Sequence, residues 1–439
     1  MTLGRQAKIG TGIATGITVL LLACRPVSAQ EMYGSPEIEE FSFDAGEFEK
    51  SPWALDGYLQ GYLAGARLDR DAALYRIGFL GHEEDVYRLQ SGVEVQTGLT
   101  FQSGSFTAYA LGTLRESYDG EQWDGGSLLY EGNLSWQGSS NAYFTAGKTL
   151  LRWGKGYAWN PTNFVGRNKN PSDPDLSLEG YWVGLADIVK SFSGSLKTVA
   201  LTAVLLPVSD DINPDFGKKH HANVAGKLYL LLHDTDIDLM ALLAGSRTPR
   251  YGLTVSRNIT ANFEVHGEAA LATDSQKRVV GADGIATSDE HDALSFLAGL
   301  RYLAPTNTTW IIEYYHNGEG QTEREAGDFF HFVYAAEDSQ LIAARPDLSG
   351  YPPPHFMRNY LYVKASQKEP FGWLYVTPAL FTILNLDGGS FSLIPEVGYT
   401  GVENLELRSR LNILFGGNGT EYGDKMNDWK IELRARYFF

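Results

Sequence analysis

The sequence is poor in cysteine, in long apolar runs and in positive charge. One cysteine among 439 residues excludes a disulfide-stapled scaffold. Outside the N-terminus there is no apolar run of about 18 residues, which excludes a bundle of transmembrane helices. The chain has 36 Lys and Arg against 53 Asp and Glu, and the net charge of −17 disfavours binding to nucleic acid through bulk charge. None of these absences excludes an all-β chain.

The first 29 residues have the composition of a secretory signal. Two basic residues precede an apolar stretch over 9–23, and Val27-Ser28-Ala29 is a small-residue cleavage pattern. We therefore predict export and cleavage after Ala29, which would remove the one cysteine. In the alternative, Leu21-Leu22-Ala23-Cys24 is a lipobox and Cys24 carries a lipid.

Residues 30–52 are acidic and show no periodicity typical of a strand or a helix. The segment is far too short to form a plug domain inside a barrel. We predict that it is a solvated periplasmic tail. Docking of a periplasmic partner through this segment is the alternative.

From Trp53 onward, apolar and polar residues alternate in runs of about ten residues that are separated by turn-forming residues. In the last run, Leu433 and Tyr437 share one face, while Glu432 and Arg434 share the other. The pattern predicts an all-β fold, a transmembrane antiparallel β-barrel of about 18 strands (roughly 16–18) over 53–439. The predicted strands are 53–67, 86–101, 105–117, 127–137, 141–153, 181–191, 196–206, 220–232, 237–246, 250–257, 261–273, 293–303, 308–317, 358–367, 371–385, 390–400, 404–415 and 428–439.

The connections between these runs alternate between short and long. Tight connections such as 102–104 alternate with long ones, of which 154–180 and 318–357 are the longest. The alternation predicts short periplasmic turns at one end of the barrel and long extracellular loops at the other. Two connections on the long-loop side, 245–250 and 387–390, are short, which leaves a miscounted hairpin there as an alternative.

The terminal Arg436-Tyr437-Phe438-Phe439 resembles the end of Gram-negative outer-membrane β-barrel proteins, whose last strand alternates aromatically and ends in Phe. The resemblance implies that Tyr437 and Phe439 are an assembly signal for the barrel-assembly machinery. The stretch from Gly147 to Gly154, followed by a loop rich in Asn and Pro, is similar to porin-like proteins. The resemblance therefore implies a porin-like barrel in the outer membrane.

The faces that the alternation places inside the barrel carry many charges of both signs. A dry core could not hold them, because burying unpaired charge is prohibitive, whereas a water-filled lumen can. Four arginines on the last two predicted strands form a lumen charge ladder that would attract anions. Cross-strand pairing with Glu406 and Glu432 is the alternative. The ladder consists of Arg408, Arg410, Arg434 and Arg436.

The loop 154–180 is predicted to fold into the lumen and to narrow it, because its Gly, Asn and Pro content suits a compact segment. An ordinary surface loop is the alternative. Positive charges that converge at a narrow point would trap anions, whereas acids facing them would create a transverse field. The predicted constriction residues are Lys148, Arg152, Lys155, Arg167, Lys169, Asp173 and Asp175.

Together these features predict a porin-like channel through which small solutes diffuse passively. A barrel that sleeves an electron-transfer partner, or that conducts an exported polymer, is the alternative. A hydrolase is less favoured, because no histidine is spaced to pair with a Ser or an Asp. We expect no catalytic residues, no metal site and no cofactor. The expected partners are outer-membrane lipid, lipopolysaccharide, the barrel-assembly machinery and small solutes, without nucleic acid.

Overall fold

The computed structural model describes residues 51–81, 85–173, 176, 178–348 and 350–439. The predicted signal segment lies outside the described residues, as does the predicted tail up to residue 50. Their predicted roles therefore stay predictions. None of the helices within the described ranges has the length and apolarity needed to cross a bilayer.

Eighteen antiparallel strands form one sheet, in which each strand pairs with the next along the chain. The first strand also pairs with the last, so the sheet closes into a barrel and the predicted fold is confirmed. The strands are β1 (Trp53–Leu68), β2 (Tyr87–Ser103), β3 (Phe106–Tyr118), β4 (Trp123–Ser139), β5 (Ala142–Thr149), β6 (Tyr181–Ser191), β7 (Leu196–Val208), β8 (His221–Leu232), β9 (Thr235–Leu242), β10 (Arg250–Thr260), β11 (Phe263–Val280), β12 (Ala286–Leu303), β13 (Thr308–His316), β14 (Asn359–Gln367), β15 (Val376–Asn385), β16 (Ser390–Val402), β17 (Leu405–Phe415) and β18 (Asn427–Phe438).

Side chains alternate between the outer and the inner surface of the barrel, as the pleat of a strand requires. On β18, Leu433 is 53% exposed and Ile431 is 41% exposed on the outer surface. Between them, the Glu432 carboxylate points inside, where it pairs with the guanidinium of Arg434 at 2.5 Å. The wall is therefore apolar outside and charged inside, as the sequence predicts.

Short turns join the strands at one end of the barrel, and most of the long loops lie at the other. Three helices belong to the long loops: α1 (Ala73–Gly78), α2 (Glu323–Ala335) and α3 (Asp338–Leu348). Helix α2 begins with a capping box, in which Thr322 and Glu325 satisfy each other's backbone N–H groups. Its apolar side chains pack with Tyr360 and Tyr362 of the wall. Helix α2 therefore lies against the inner wall rather than above the barrel.

Several strand bounds differ from the sequence prediction by four residues or more. The expected long loop 274–292 is mostly strand, because β11 continues to Val280 and β12 already begins at Ala286. In this extension of β11, Lys277 still faces inward and pairs with α2. Strand β5 ends at Thr149 instead of 153, because its pairing with β6 ends at Thr149. Strand β15 begins at Val376 instead of 371, because the preceding turn has left-handed backbone angles at Phe371 and its neighbours. The two connections predicted to be short, 245–250 and 387–390, span 243–249 and 386–389 in the structure, and both join neighbouring strands of the 18, so no hairpin is miscounted.

The seam between β1 and β18 closes at a glycine. Gly57 and Phe439 exchange backbone hydrogen bonds of 3.2 and 3.1 Å. A Cβ atom at Gly57 would collide with the carbonyl oxygen of Gln96 and would lie 2.9 Å from the Phe439 ring. At Gly61 of the same strand, the nearest atom would be 4.0 Å away.

Replacing Gly57 with Ala should therefore overpack the seam and lower the free energy of unfolding by about 1–3 kcal/mol. Urea unfolding in lipid vesicles, followed by tryptophan fluorescence, measures the change. The matched control is Gly61→Ala, which should have a much smaller effect. Equal losses in the two variants would contradict the seam contacts.

Candidate functional site

The segment between β5 and β6, which the structure describes at residues 150–173, 176 and 178–180, enters the barrel; we call it the inner loop. It turns away from the wall at Gly154, whose φ of +94° favours glycine. A Cβ atom at this position would also lie 2.7 Å from the carboxylate of Glu268. Glycine therefore allows both the turn and the close approach of the loop to β11.

Glu268 of β11 is the main attachment point of the inner loop. Its Oε1 accepts hydrogen bonds from the backbone N–H groups of Lys155 and Gly156, at 2.6 and 2.7 Å, and from the Asn160 amide at 2.9 Å. Its Oε2 accepts from the hydroxyl of Thr162 at 2.6 Å and from its backbone N–H at 3.2 Å. The carboxylate is buried, and these five donors replace its water shell.

Glu313 of β13 is a second carboxylate on the same side of the interior. It accepts from the backbone N–H groups of Tyr157 at 2.5 Å and of Ala158 at 2.8 Å. The buried ring of His266 places Nε2 2.7 Å from the same carboxylate. The Tyr157 hydroxyl donates to Glu264 at 3.1 Å. Residues 155–162 are thus fixed to β11 and β13 mainly through their backbone.

The inner loop reaches the wall again at Asp173. Its carboxylate lies 3.3 Å from the guanidinium of Arg410, 3.7 Å from that of Arg434 and 3.8 Å from that of Arg408. Arg410 also donates to the carbonyl of Ser172 at 3.1 Å. Three members of the predicted arginine ladder therefore converge on one loop residue.

The ends of the inner loop are fixed by ion pairs next to β5 and β6. Glu179 pairs with Lys148, and also with Arg167 at 3.1 Å. Arg167 also pairs with Asp215. The predicted constriction charges Lys148 and Arg167 are therefore neutralised near the base of the loop.

Two further predicted residues hold the inner loop from within the lumen. Lys155 lies 3.5 Å from the carboxylate of Asp238 on β9. Lys169 donates to the carbonyl of Gly156 at 2.7 Å, which ties the two halves of the loop together. Burial lowers the pKa of Lys169, and the carboxylates of Glu313 and its neighbour Glu268 oppose this effect.

The remaining predicted residues are placed differently. Arg152 is exposed and has no ion-pair partner in the described part of the chain. Arg436 lies apart from Asp173 and donates to the side-chain oxygen of Gln60 at 2.9 and 2.7 Å. Tyr437 and Phe439 are exposed at the seam, and Asp175 lies outside the described residues.

The attachment points are spread around the barrel. Strands β5, β11 and β17 lie six strands apart in the ring of 18. A segment that is rooted at the first, bonded to the second and ion-paired with the third crosses the interior. The contacts therefore place the inner loop inside the barrel rather than on its rim.

A cavity of about 1090 Å³ lies between the inner loop and the long loops. Its described lining includes one carboxylate, that of Glu319, which pairs with Arg250 at 2.7 Å. The cavity carries an excess of positive charge although the whole chain is acidic. The basic residues that line it are Lys169, Arg247, Arg250, Lys277, Arg278 and Lys425.

The alternation of β11 and β13 puts Glu264, Glu268 and Glu313 on inner faces, but it does not identify them as attachment points for the loop. Their alternation marks only the face of the strand. The position of the loop against the wall depends on contacts between residues that are more than 100 positions apart in the chain, such as Gly156 and Glu268. A single sequence carries no local signal for such contacts.

Solved structures of other proteins share this architecture. OccK5 (OpdH) of Pseudomonas aeruginosa superposes with a TM-score of 0.50 at 12% identity, over 88% of this chain and 98% of that one. OccAB1 of Acinetobacter baumannii gives 0.53 at 12% identity, over 88% and 96%. The fold is a porin-like β-barrel. A mutant of the Rhodopseudomonas blastica porin is more distant, with a TM-score of 0.42 at 11% identity over 88% and 100%.

Sequence comparisons add nothing to this likeness in fold. No protein-family model matches the chain, and no curated protein matches it in sequence. The porin-like barrel implied by the C-terminal resemblance is confirmed at the level of fold.

The attachment of the inner loop predicts the effect of changing Glu268. In Glu268→Gln, a neutral amide would replace the carboxylate that accepts hydrogen bonds from the backbone of the loop. The free energy that holds the loop in place should fall by about 1–3 kcal/mol. Hydrogen exchange at Gly156 and Thr162 should then accelerate by about tenfold or more. Mass spectrometry of peptides from the loop measures this acceleration.

Glu264→Gln is the matched control for this experiment. Glu264 accepts hydrogen bonds from the side chains of Tyr157 and Ser256, and from no backbone N–H of the described chain. Exchange at Gly156 should therefore change little in the control. Unaltered exchange in Glu268→Gln itself would show that the loop is held by other contacts.

Proposed function

We propose that this protein is an outer-membrane channel through which small solutes diffuse passively, with a preference for anions. The observation that supports it best is the inner loop, which is fixed at separate points of a wall that is apolar outside and charged inside. Such a segment narrows a lumen without closing the barrel, as a diffusion channel requires. We infer no covalent chemistry and no cofactor.

The preference for anions is inferred from cationic side chains that no carboxylate of the described residues neutralises. Lys169, Arg247 and Lys425 line the cavity, and no ion pair joins them to a carboxylate among the described residues. The exposed Arg152 lies close enough to Lys169 to repel its charge. Low-dielectric walls focus the field of such charges, which raises the local concentration of anions and opposes cations.

The outer-membrane location is proposed from the surface of the barrel and from the two ends of the chain. A closed barrel with an apolar outer surface is one of the few structures that satisfy backbone hydrogen bonds inside a bilayer. The predicted signal with cleavage after Ala29 supplies export, and Tyr437 and Phe439 supply the proposed assembly signal. Membrane lipid, lipopolysaccharide and the assembly machinery are the partners that this location implies.

The alternative functions receive less support from the site. A sleeve or a polymer conduit needs an open bore, whereas the inner loop and helix α2 occupy part of this one. A hydrolase needs a histidine that is poised beside a nucleophile. His266 instead lies between the carboxylates of Glu313 and Glu264, at 2.7 and 3.8 Å, and its ring is buried.

Planar-bilayer recording of the purified protein tests the proposal. In a KCl gradient we expect steady ohmic currents, with a reversal potential that shows chloride to be more permeant than potassium. Currents that favour potassium would refute the anion preference. A barrel that inserts but carries no current would refute the channel itself.

Arg152 provides the first prediction about selectivity. Neutralising it in Arg152→Gln removes a charge without an ion-pair partner from the inner loop, so the reversal potential should shift toward cations. The matched control is Lys197→Gln, which removes the same charge from an exposed pair with Asp234 in the short turns. If both variants shift equally, the position of Arg152 has no special role.

Leu433 provides a prediction about the membrane face, because it lies near the middle of β18 and points outward. Leu433→Arg should destabilise the barrel in lipid by about 2–4 kcal/mol, since a charge would meet hydrocarbon. Lys430→Gln, on the inner face of the same strand, should be much milder. Urea titration in vesicles compares them, and similar losses would reverse the assignment of the two faces.

A further inference from the structure

The cavity between the inner loop and the long loops is rich in side-chain amides, which carry both hydrogen-bond donors and an acceptor but no charge. We propose that this cavity binds the hydroxyl groups of a sugar of one or two rings. The inference deepens the proposed function and rests on it, because a sugar must enter the lumen to reach the cavity. The amide residues that line it are Asn160, Asn163, Asn168, Asn170, Gln276, Asn317, Gln321, Asn412 and Asn427.

Two of these amides are committed to the fold of the inner loop. Asn160 donates to the carboxylate of Glu268 at 2.9 Å. Asn163 accepts from the backbone N–H of Trp153 at 3.2 Å and donates to the carbonyl of Arg167 at 3.0 Å. These two side chains therefore shape the cavity and are not assigned to a solute.

Three other amides keep hydrogen-bonding groups for a solute. The side chain of Asn168 makes no hydrogen bond to another described residue. Asn412 accepts from the hydroxyl of Ser392 at 2.7 Å, and Asn170 accepts from the backbone N–H of Ser172 at 3.0 Å. In both residues the NH₂ group has no acceptor among the described residues, so it can donate to a solute.

The three amides belong to two sides of the cavity. Asn168 and Asn170 are exposed residues of the inner loop. Asn412 lies on β17, two residues beyond Arg410 on the same face of the strand. Arg410 donates to the carbonyl of Ser172 at 3.1 Å, which holds this part of the loop against β17. A solute in the cavity therefore meets amides from the loop and from the wall.

The chemistry of the lining matches that of a sugar. A hydroxyl group donates and accepts, as an amide does, whereas a carboxylate only accepts and an ammonium group only donates. Rigid apolar rings also line the cavity, those of Pro161, Pro171, Pro353 and Pro354. The C–H faces of a sugar ring pack on such surfaces. The volume of about 1090 Å³ lies just above the roughly 300–1,000 Å³ of small-molecule sites, which leaves room for one or two rings.

The experiment measures how strongly D-glucose blocks the chloride current through single channels. Glucose is uncharged, so its block reports on the recognition of hydroxyl groups and not on the positive charge of the cavity. A polyethylene glycol of equal mass is the second probe, because its chain oxygens are ethers that accept hydrogen bonds but do not donate them. In the parent, glucose should block at a concentration about tenfold lower than the glycol does.

Two variants test the assigned amides. Asn168→Leu and Asn412→Leu keep the side-chain volume but remove hydrogen-bonding groups, so each should weaken the block by glucose about three- to tenfold. Block by the glycol should stay unchanged. Asn168→Leu breaks no side-chain hydrogen bond of the described chain, so its effect is free of damage to the fold. The matched control is Asn418→Leu, at an exposed residue between β17 and β18 that does not line the cavity, and it should respond as the parent does.

A second readout does not depend on current. Bound glucose should slow hydrogen exchange at the backbone of Asn168 and Asn170, because it covers this part of the inner loop, whereas the glycol should not. Mass spectrometry of loop peptides in lipid vesicles measures the change. Loss of this protection in Asn412→Leu would place the sugar between the loop and β17.

The outcomes separate this proposal from the proposed function. Equal block by glucose and by the glycol in the parent would mean that only solute size matters, and the sugar site would be refuted. Block by glucose that is the same in the parent, Asn168→Leu and Asn412→Leu would refute the assigned amides. A parent that carries no current would refute the channel, and hydrogen exchange with glucose would then decide the site by itself.

Discussion

The interior of this barrel depends on two buried carboxylates that bind backbone N–H groups. Glu268 and Glu313 each accept from two consecutive residues of the inner loop, which is the arrangement that concave backbone segments use to bind anions. A buried carboxylate without donors would be strongly destabilising, and a loop inside the barrel without acceptors would be equally so. Each therefore satisfies the other, and residues 155–162 acquire one defined position in the lumen.

The position of this segment decides how charge is distributed along the lumen. On the side of β11 and β13, the carboxylates accept hydrogen bonds from the backbone of the loop. On the side of β17 and β18, arginines exceed the fixed acids and meet a carboxylate from the loop. Pairing of Arg167 and Lys148 with Glu179 removes two predicted constriction charges, so the unpaired cations lie nearer the cavity. The lumen is thus cationic toward the long loops although the protein is acidic.

The fold was largely predictable, because strand alternation is a local signal repeated along the chain. On the last two strands, polar residues such as Arg408 and Glu432 recur at every second position. This alternation predicts which face of each strand points inward. Alternation misleads at 371–375, where aromatic residues recur with the same period but Phe371 and Tyr375 have left-handed backbone angles. The loop attachments were not predictable, since the partner of Glu268 depends on the closed topology of 18 strands and not on neighbouring residues.

The central claim is that the inner loop lies across the path of the solute. Asn168 tests it most directly, because this exposed loop residue lines the cavity and the predicted mature chain has no cysteine. A negatively charged thiol reagent added to the long-loop side of Asn168→Cys channels in a bilayer should reduce single-channel chloride current, because it adds both bulk and a charge that repels anions. The parent should not respond. Unchanged current in fully modified channels would show that solutes bypass the loop and would contradict the account.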